Sequence, residues 1–174
     1  MNRKLFAIVV LLAFSQAVLA QNFITRWDLS IPGSGATQIS LGTATSGTVN
    51  YTWQELSPGS ASGSGSWSGA SLIVSGLPAG ATIRLQIAPA NFEAISIDNG
   101  LDSQRLTQVE QWGSTSWISM LTAFTGCVNL QVTATDTPDL SNVTNMALMF
   151  AGCTNLNSPS NIGTWNTSSV RQMD

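Results

Sequence analysis

The side chains that most often carry enzyme chemistry are scarce in this chain. Its 174 residues include no histidine, only two cysteines and nine acidic residues. Without histidine, neither a Ser-His-Asp nor a Cys-His arrangement can form, and imidazole metal sites are excluded. Carboxylates are therefore the remaining candidates for acid–base catalysis. We expect a protein that is not an enzyme, with no catalytic residues and no cofactor.

Four acidic residues lie close together in the middle of the sequence: Glu93, Asp98, Asp102 and Glu110. Paired carboxylates cleave glycosidic bonds, and the segment 97–102 offers oxygen atoms to a calcium ion. That segment has too few oxygen ligands, at the wrong spacing, for an EF-hand loop. Because Asn99-Gly100 is a turn signal, we favour solvated turn residues and predict no metal site.

The two cysteines, Cys127 and Cys153, occupy equivalent contexts, GCVNL and GCTNL. Two thiols without histidine make a poor zinc site, because zinc takes four ligands. A disulfide is an alternative, since neighbouring strands lie about 4.8 Å apart and that is within the Cα range of a bridge. We favour a third interpretation, in which both side chains are buried and stacked in the core.

Two tryptophans are candidates for stacking against a ligand such as a sugar. Trp67 lies in the Ser/Gly-rich segment 57–69, and Trp53 lies in a segment of alternating polar and apolar residues. Exposed aromatic rings often mark binding sites. For Trp67 we favour the simpler interpretation, in which the ring folds back onto a sheet.

The N-terminus has the pattern of a secretory signal peptide. Arg3 and Lys4 precede the apolar run 5–14, and Val18 and Ala20 place small residues before a cleavage point at Gln21. The apolar run is too short to span a bilayer, which needs about 20 residues. We predict cleavage of residues 1–20, no remaining membrane span, and a secreted or cell-surface protein.

The chain that remains after cleavage is acidic and contains no lysine. Its four arginines, set against all nine acidic residues, give a net charge of −5. Nucleic-acid binding needs a basic patch, and four scattered arginines do not form one. Attraction to an anionic membrane surface is excluded for the same reason. The expected partner is therefore a protein or a glycan.

Residues 21–100 are typical of an all-β, sandwich-like domain. Short runs rich in β-branched and aromatic residues alternate with Gly- and Pro-containing breaks. The predicted strands cover residues 23–30, 37–41, 48–55, 71–74, 81–87 and 92–97. We interpret the low-complexity segment 57–69 as a long flexible loop within this domain.

Residues 101–174 contain an internal repeat. Residues 117–130 align with residues 143–156 at an offset of 26, and a third copy begins at residue 164. The repeat units run over about 113–138, 139–165 and 166–174, and the last one is incomplete. The predicted repeat core consists of Trp117, Met120, Leu121, Phe124, Cys127, Leu130, Val143, Met146, Phe150, Cys153, Leu156, Val170 and Met173.

The spacing within each copy predicts one helical turn followed by one strand. Trp117, Met120, Leu121 and Phe124 fall at i, i+3, i+4 and i+7, which is one face of a helix. Residues 130–135 alternate as a strand does. Such a unit cannot bury its own apolar face and must stack on a neighbour. We therefore predict an α/β solenoid that is truncated in its third repeat.

The residues 139–157 and 163–174 resemble the BspA-like leucine-rich-repeat surface proteins, a repeat also found in lipoprotein-associated surface proteins of mycoplasmas. The segment 143–153, VTNMALMFAGC, carries most of the resemblance. The resemblance implies a leucine-rich-repeat solenoid, export, and a role in adhesion or surface interaction. The chain lacks the many repeats and the C-terminal anchoring region of such proteins, so we expect it to be a fragment.

Two functions are consistent with these features. The first is a secreted or cell-surface binding or adhesion module that contacts a protein or glycan partner through its repeats, without catalysis. The alternative is a carbohydrate-binding or glycan-cleaving secreted protein that uses exposed tryptophans and a pair of acidic residues. The sequence identifies neither the partner nor the oligomeric state.

Overall fold

The computed structural model describes residues 20–157 and 159–174, so the predicted signal peptide lies almost entirely outside the described residues. Within these described residues, nine strands form two sheets, one with the order β4-β3-β6-β1-β8-β9 and one with the order β5-β2-β7. The strands are β1 (Phe23–Asp28), β2 (Gln38–Thr45), β3 (Val49–Ser57), β4 (Ser62–Trp67), β5 (Ser71–Ser75), β6 (Thr82–Ile87), β7 (Phe92–Ser96), β8 (Leu106–Gln111) and β9 (Gln131–Val132). Within the described part of the chain, no helix is long and apolar enough to cross a membrane.

Both sheets bury alternate side chains in one hydrophobic core. On β6, Ile83, Leu85 and Ile87 are fully buried, as their alternation with polar residues predicts. From the smaller sheet, Ile39 and Val74 enter the same core. The six strands predicted before residue 100 are therefore confirmed as β1, β2, β3, β5, β6 and β7.

The segment predicted as a loop at 57–69 instead contains strand β4, which pairs antiparallel with β3. The prediction was wrong because the small residues have a packing role. Gly63 lies opposite Trp53, and a Cβ atom there would come within 2.7 Å of the Trp53 Nε1 atom. Gly65 lies opposite Tyr51 in the same way. The glycines thus leave room for two large aromatic rings.

The larger sheet continues beyond residue 100, because β8 pairs antiparallel with β1. Just before β8, Asp102 and Arg105 form a buried ion pair with an N–O distance of 3.0 Å. Arg105 also donates to the carbonyl oxygens of Ile31 and Gln38, and Asp102 accepts the N–H group of Ser40 at 2.7 Å. Asp102 is therefore not a solvated turn residue. The pair fixes the connection between β1 and β2.

The predicted α/β leucine-rich-repeat solenoid is wrong, because the described residues contain no α-helix. The segments expected to be helical are successive turns. Thr122 and Leu148, which are equivalent in the two copies, have φ angles of 50° and 56°, and Gly126 and Gly152 also have positive φ. A right-handed helix cannot pass through such residues. Of the strand predicted at 130–135, only Gln131–Val132 forms, and it pairs parallel with β8.

The copies nevertheless stack on one another through their backbones. The Phe124 N–H group donates to the Met149 carbonyl oxygen at 2.9 Å, and the Met146 N–H group donates to the Gln172 carbonyl oxygen at 2.8 Å. Residues 97–99 cover the first copy in the same manner, since the Asn99 N–H group donates to the Thr125 carbonyl oxygen. N–H groups that an α-helix would use internally therefore join neighbouring copies.

Candidate functional site

Most of the predicted repeat-core side chains lie in the hydrophobic core. Seven are buried: Trp117, Met120, Phe124, Cys127, Leu130, Val143 and Met146. Four are half-buried against that core: Phe150, Cys153, Leu156 and Val170. Leu121 is 43% exposed and Met173 is 60% exposed. The inclusion of Leu121 was wrong because the i+4 position shares a face with i only in a helix, and no helix forms here.

Aromatic rings connect the repeat to the sandwich. Trp117 packs edge-on against Phe23 of β1, with centroids 5.1 Å apart. Trp112 stacks on Phe23, with centroids 6.0 Å apart, and packs edge-on against Trp165, with centroids 5.3 Å apart. Edge-to-face contacts of this kind stabilise beyond the burial of area alone. The sandwich therefore holds the repeat copies in fixed positions.

An apolar groove lies on the last repeat copies, with a volume of about 490 Å³. Its lining includes the exposed side chains of Leu148, Ile162 and Met173, which are 50%, 48% and 60% exposed. The buried Trp165 and the half-buried Phe150 also line it. Exposed apolar clusters of this kind mark interaction sites in soluble proteins.

Neither Leu148 nor Ile162 is among the residues predicted from the sequence to form a site. A signal for Leu148 was present, because the equivalent residue of the first copy is Thr122. The hydroxyl groups of the half-buried Thr122 and of Ser96 are hydrogen-bonded, with their oxygen atoms 3.0 Å apart. Leu148 instead lines the groove. The replacement of a hydrogen-bonded threonine by an apolar residue at the equivalent position is the sequence signal for this exposed side chain.

The two cysteines are free thiols rather than a disulfide. The Cys153 thiol donates to the Phe124 carbonyl oxygen at 3.1 Å. Burial raises the pKa of the Cys127 thiol, and the neighbouring Cys153 raises it further. Burial also raises the pKa of Cys153. Both thiols therefore stay protonated at neutral pH, which makes them poor nucleophiles and poor metal ligands.

The carboxylates considered for catalysis do not form a site together. Asp102 belongs to the buried ion pair described above, and Glu110 accepts from Arg26 Nε and Arg84 Nε, both at 2.7 Å. Asp98 is an exposed residue with a φ of 42°. Across residues 20–157 and 159–174, no three histidine, cysteine or acidic side chains group closely enough to hold a metal ion.

The two candidate tryptophans have different surroundings. The Trp67 indole donates to Thr43 Oγ1 at 3.1 Å and its ring packs against Tyr51 and Phe92, so it folds back onto the sheet. Trp53 instead lines a shallow cavity of about 490 Å³ whose other walls are polar. The polar residues lining it are Thr52, Gln54, Ser60, Ser62, Ser64 and Gln86.

Comparison with known proteins gave one match. Residues 99–174 match the family model described as Mycoplasma protein of unknown function, DUF285. No curated protein and no solved structure matched the chain. The matched range contains all the repeat copies, but the match does not identify them as leucine-rich repeats. This part of the chain is thus similar to the mycoplasma and BspA-like surface protein family.

Proposed function

We propose that this chain is a secreted or cell-surface binding module, without catalytic activity, that adheres to a protein or glycan partner through its repeat region. The observation that carries the proposal is the apolar groove lined by Leu148, Ile162 and Met173. Three of the exposed large apolar side chains of the described residues line this one groove. Patches of this kind provide the well-packed centre of an interface.

Two further observations support a binding role. The aromatic contacts of Trp112 and Trp117 with Phe23 of β1 hold the repeat in place, so a partner meets a preformed surface. Preformed surfaces lose little conformational entropy on binding. In addition, Asp102 and Glu110 are occupied in ion pairs, which leaves them unsuited to acid–base catalysis. The signal-peptide pattern at residues 1–20 supports a location outside the cell.

To test the proposal, labelled residues 21–174 are applied to arrays of immobilised, purified extracellular matrix proteins and glycans. We expect at least one array member to bind. Leu148→Glu should weaken that binding by about tenfold or more, because it places a charge in the apolar centre of the interface. Ile73→Glu is the matched control, since Ile73 on β5 is 56% exposed and lies far from the groove residues in sequence.

Two results would contradict this function. One is the absence of any bound array member. The other is equal binding by wild type and Leu148→Glu, with circular dichroism showing that both are folded. Hydrolysis of a glycan by the purified chain would contradict the non-catalytic part of the proposal.

A second candidate function is glycan binding at Trp53. It is supported by the shallow cavity in which this ring is surrounded by hydroxyl and amide side chains. Aromatic rings stack on the apolar faces of sugars while such polar groups hydrogen-bond the hydroxyls. Binding of a glycan that is lost in Trp53→Ala and retained in Leu148→Glu would favour this second function.

A further inference from the structure

Two arginines lie side by side on the outer face of the larger sheet. Arg26 of β1 and Arg84 of β6 are directly opposite each other in the antiparallel pairing of these strands, although they are far apart in sequence. Each alternates with buried residues along its strand, so both side chains point away from the core. Like charges that face each other across two strands destabilise a sheet. We expect such an arginine pair only where a countercharge or a ligand offsets the repulsion.

Glu110 of β8 offsets one of these two charges. One of its carboxylate oxygens accepts from Arg26 Nε and the other accepts from Arg84 Nε, both at 2.7 Å. The Nη2 group of Arg26 also contacts the first oxygen. The Nη1 group of Arg26 and both Nη groups of Arg84 make no hydrogen bond with residues 20–157 or 159–174. Since the two arginine side chains are 32% and 34% exposed, the arginine pair presents one net positive charge and free donors to solvent.

The free donors of the arginine pair suit an anionic group. A guanidinium group presents its N–H donors in a rigid planar fork that matches the oxygen atoms of carboxylates and tetrahedral oxyanions. Glu110 already fixes both guanidinium groups through their Nε atoms, so a ligand need not order these side chains itself. The arrangement is therefore preformed for one acidic group.

The arginine pair adjoins the shallow cavity at Trp53. Gln54 of β3 lies directly opposite Arg84, and Gln86 follows Arg84 by two residues on the same face of β6. Both glutamines line the cavity. Neighbouring strands lie about 4.8 Å apart, so a cavity centred on β3 and β4 and an arginine pair on β6 and β1 are about 10 Å apart. A ligand that reaches both is longer than a single sugar ring.

The side chains of this face favour a glycan over a polypeptide. Hydroxyl side chains line the cavity, including those of Thr52, Ser62 and Ser64, and such groups hydrogen-bond the hydroxyls of a sugar. Protein partners instead depend on an apolar centre in the interface. Among the described residues, none of the large apolar side chains that are exposed belongs to β4, β3, β6, β1 or β8. The exposed side chains that a protein partner needs therefore lie elsewhere in the molecule.

We propose that the outer face of the larger sheet binds an acidic oligosaccharide. A carboxylate or sulfate group of this ligand accepts from the Nη groups of Arg26 and Arg84, and a neighbouring sugar ring occupies the cavity at Trp53. This inference rests on the second candidate function, glycan binding at Trp53, and specifies that the glycan is acidic. One net positive charge fits a sparsely charged sugar and not a nucleic acid, which needs an extended basic patch.

The test uses two pairs of tetrasaccharides whose members differ in charge. Tetragalacturonic acid is compared with its methyl ester, which tests the carboxylate, and sulfated maltotetraose is compared with maltotetraose, which tests the sulfate. Isothermal titration calorimetry measures the affinity of residues 21–174 for each of them. We expect the charged member of at least one pair to bind about tenfold or more tightly than its neutral counterpart, because it gains charge-assisted hydrogen bonds.

Three variants test the contact with the arginine pair. Arg84→Gln should remove most of the advantage of the charged tetrasaccharide. Arg171→Gln is the matched control, since it removes the same charge from an exposed residue of the repeat region, and it should retain that advantage. Glu110→Gln should strengthen binding of the charged tetrasaccharide by about threefold or more, because it removes the competing carboxylate. A gain of affinity in Glu110→Gln does not arise from a loss of folding.

Four outcomes would overturn the inference. The charged and neutral members of both pairs bind equally. Arg84→Gln and Arg171→Gln weaken binding to the same extent. Glu110→Gln weakens binding of the charged tetrasaccharide. A glutamate-rich peptide binds as tightly as the charged tetrasaccharide, with the same sensitivity to Arg84→Gln, which would make an acidic polypeptide the ligand.

The same measurements separate this inference from the second candidate function. If charged and neutral tetrasaccharides bind equally and Trp53→Ala abolishes both, glycan binding at Trp53 stands and the inference fails. If binding of the charged tetrasaccharide depends on Arg84 and is unchanged in Trp53→Ala, the acidic site stands and the role of Trp53 is wrong. Absence of binding by all the tetrasaccharides would contradict both.

Discussion

The rings of Phe124 and Phe150 stack nearly parallel, with centroids 5.5 Å apart and planes 12° apart, at equivalent positions of two repeat copies. Phe124 is fully buried, whereas Phe150 is half-buried beside the groove. The backbone bonds of the stack also recur at equivalent positions, since the N–H group of Met120 donates to Asn145 and that of Met146 donates to Gln172. Side-chain and backbone contacts therefore repeat with the same period.

The first prediction concerns the unequal contributions of these two rings. Phe124→Ala should lower the free energy of unfolding by about 3–5 kcal/mol, because it leaves a cavity in the core. Phe150→Ala should cost clearly less, since part of that ring already faces solvent. Urea denaturation of residues 21–174 measures both values. An equal or reversed order would contradict the burial of Phe124 between the sandwich and the second copy.

The second prediction concerns the two glycines that follow the phenylalanines. Gly126 and Gly152 have φ angles of 78° and 74°, so alanine is strained at both, by about 1–2 kcal/mol. Only at Gly126 would a Cβ atom also collide with Asn99, whose side chain lies against that position. The nearest atoms to a Cβ atom at Gly152 are 3.5 Å away. Gly126→Ala should therefore destabilise more than Gly152→Ala in thermal denaturation, and equal losses would count against this packing.

The sequence predicted the sandwich strands correctly because polar and apolar residues alternate along them. It predicted the repeat period correctly as well, but it assigned the wrong local conformation. Apolar residues at i, i+3 and i+7 fit a helix, and they fit stacked turns equally well. The distinguishing feature is the positive φ of Thr122 and Leu148. Residues of these types rarely adopt that conformation, so no local signal indicated it.

For the candidate sites too, some features could have been predicted from the sequence and others could not. Alternating glycines at 63 and 65 could have indicated a strand facing Tyr51 and Trp53, because small residues opposite large ones are a packing pattern. The ion pair of Asp102 and Arg105 could not be predicted, since its stabilising partners at Ile31, Ser34 and Gln38 are distant in sequence. The groove also depends on residues that only the stacked arrangement brings together.

The third prediction compares two ion pairs of different burial. Asp102→Asn should destabilise by about 3 kcal/mol or more, because it leaves the Arg105 guanidinium buried without a countercharge. Glu110→Gln should cost about 1 kcal/mol or less, since Arg26 and Arg84 are each about a third exposed and reach solvent. Urea denaturation in low and high salt tests both, and the Asp102 effect should be the less sensitive to salt. A larger loss for Glu110→Gln would contradict the structural role of the buried pair.

The fourth prediction is a loss of stability at alkaline pH that depends on Cys127. Burial and the neighbouring Cys153 raise the pKa of this thiol above its ordinary value of 9.0. The unfolded chain therefore releases the thiol proton first as the pH rises, so the contribution of Cys127 is complete below about pH 9 and declines above it. This group alone should lower the free energy of unfolding by up to about 1.4 kcal/mol per pH unit.

Replacing Cys127 with alanine should lower the free energy of unfolding at pH 7 and make its decline at alkaline pH less steep. Urea denaturation under reducing conditions measures both effects. An unchanged slope in Cys127→Ala would show that other groups cause the alkaline loss.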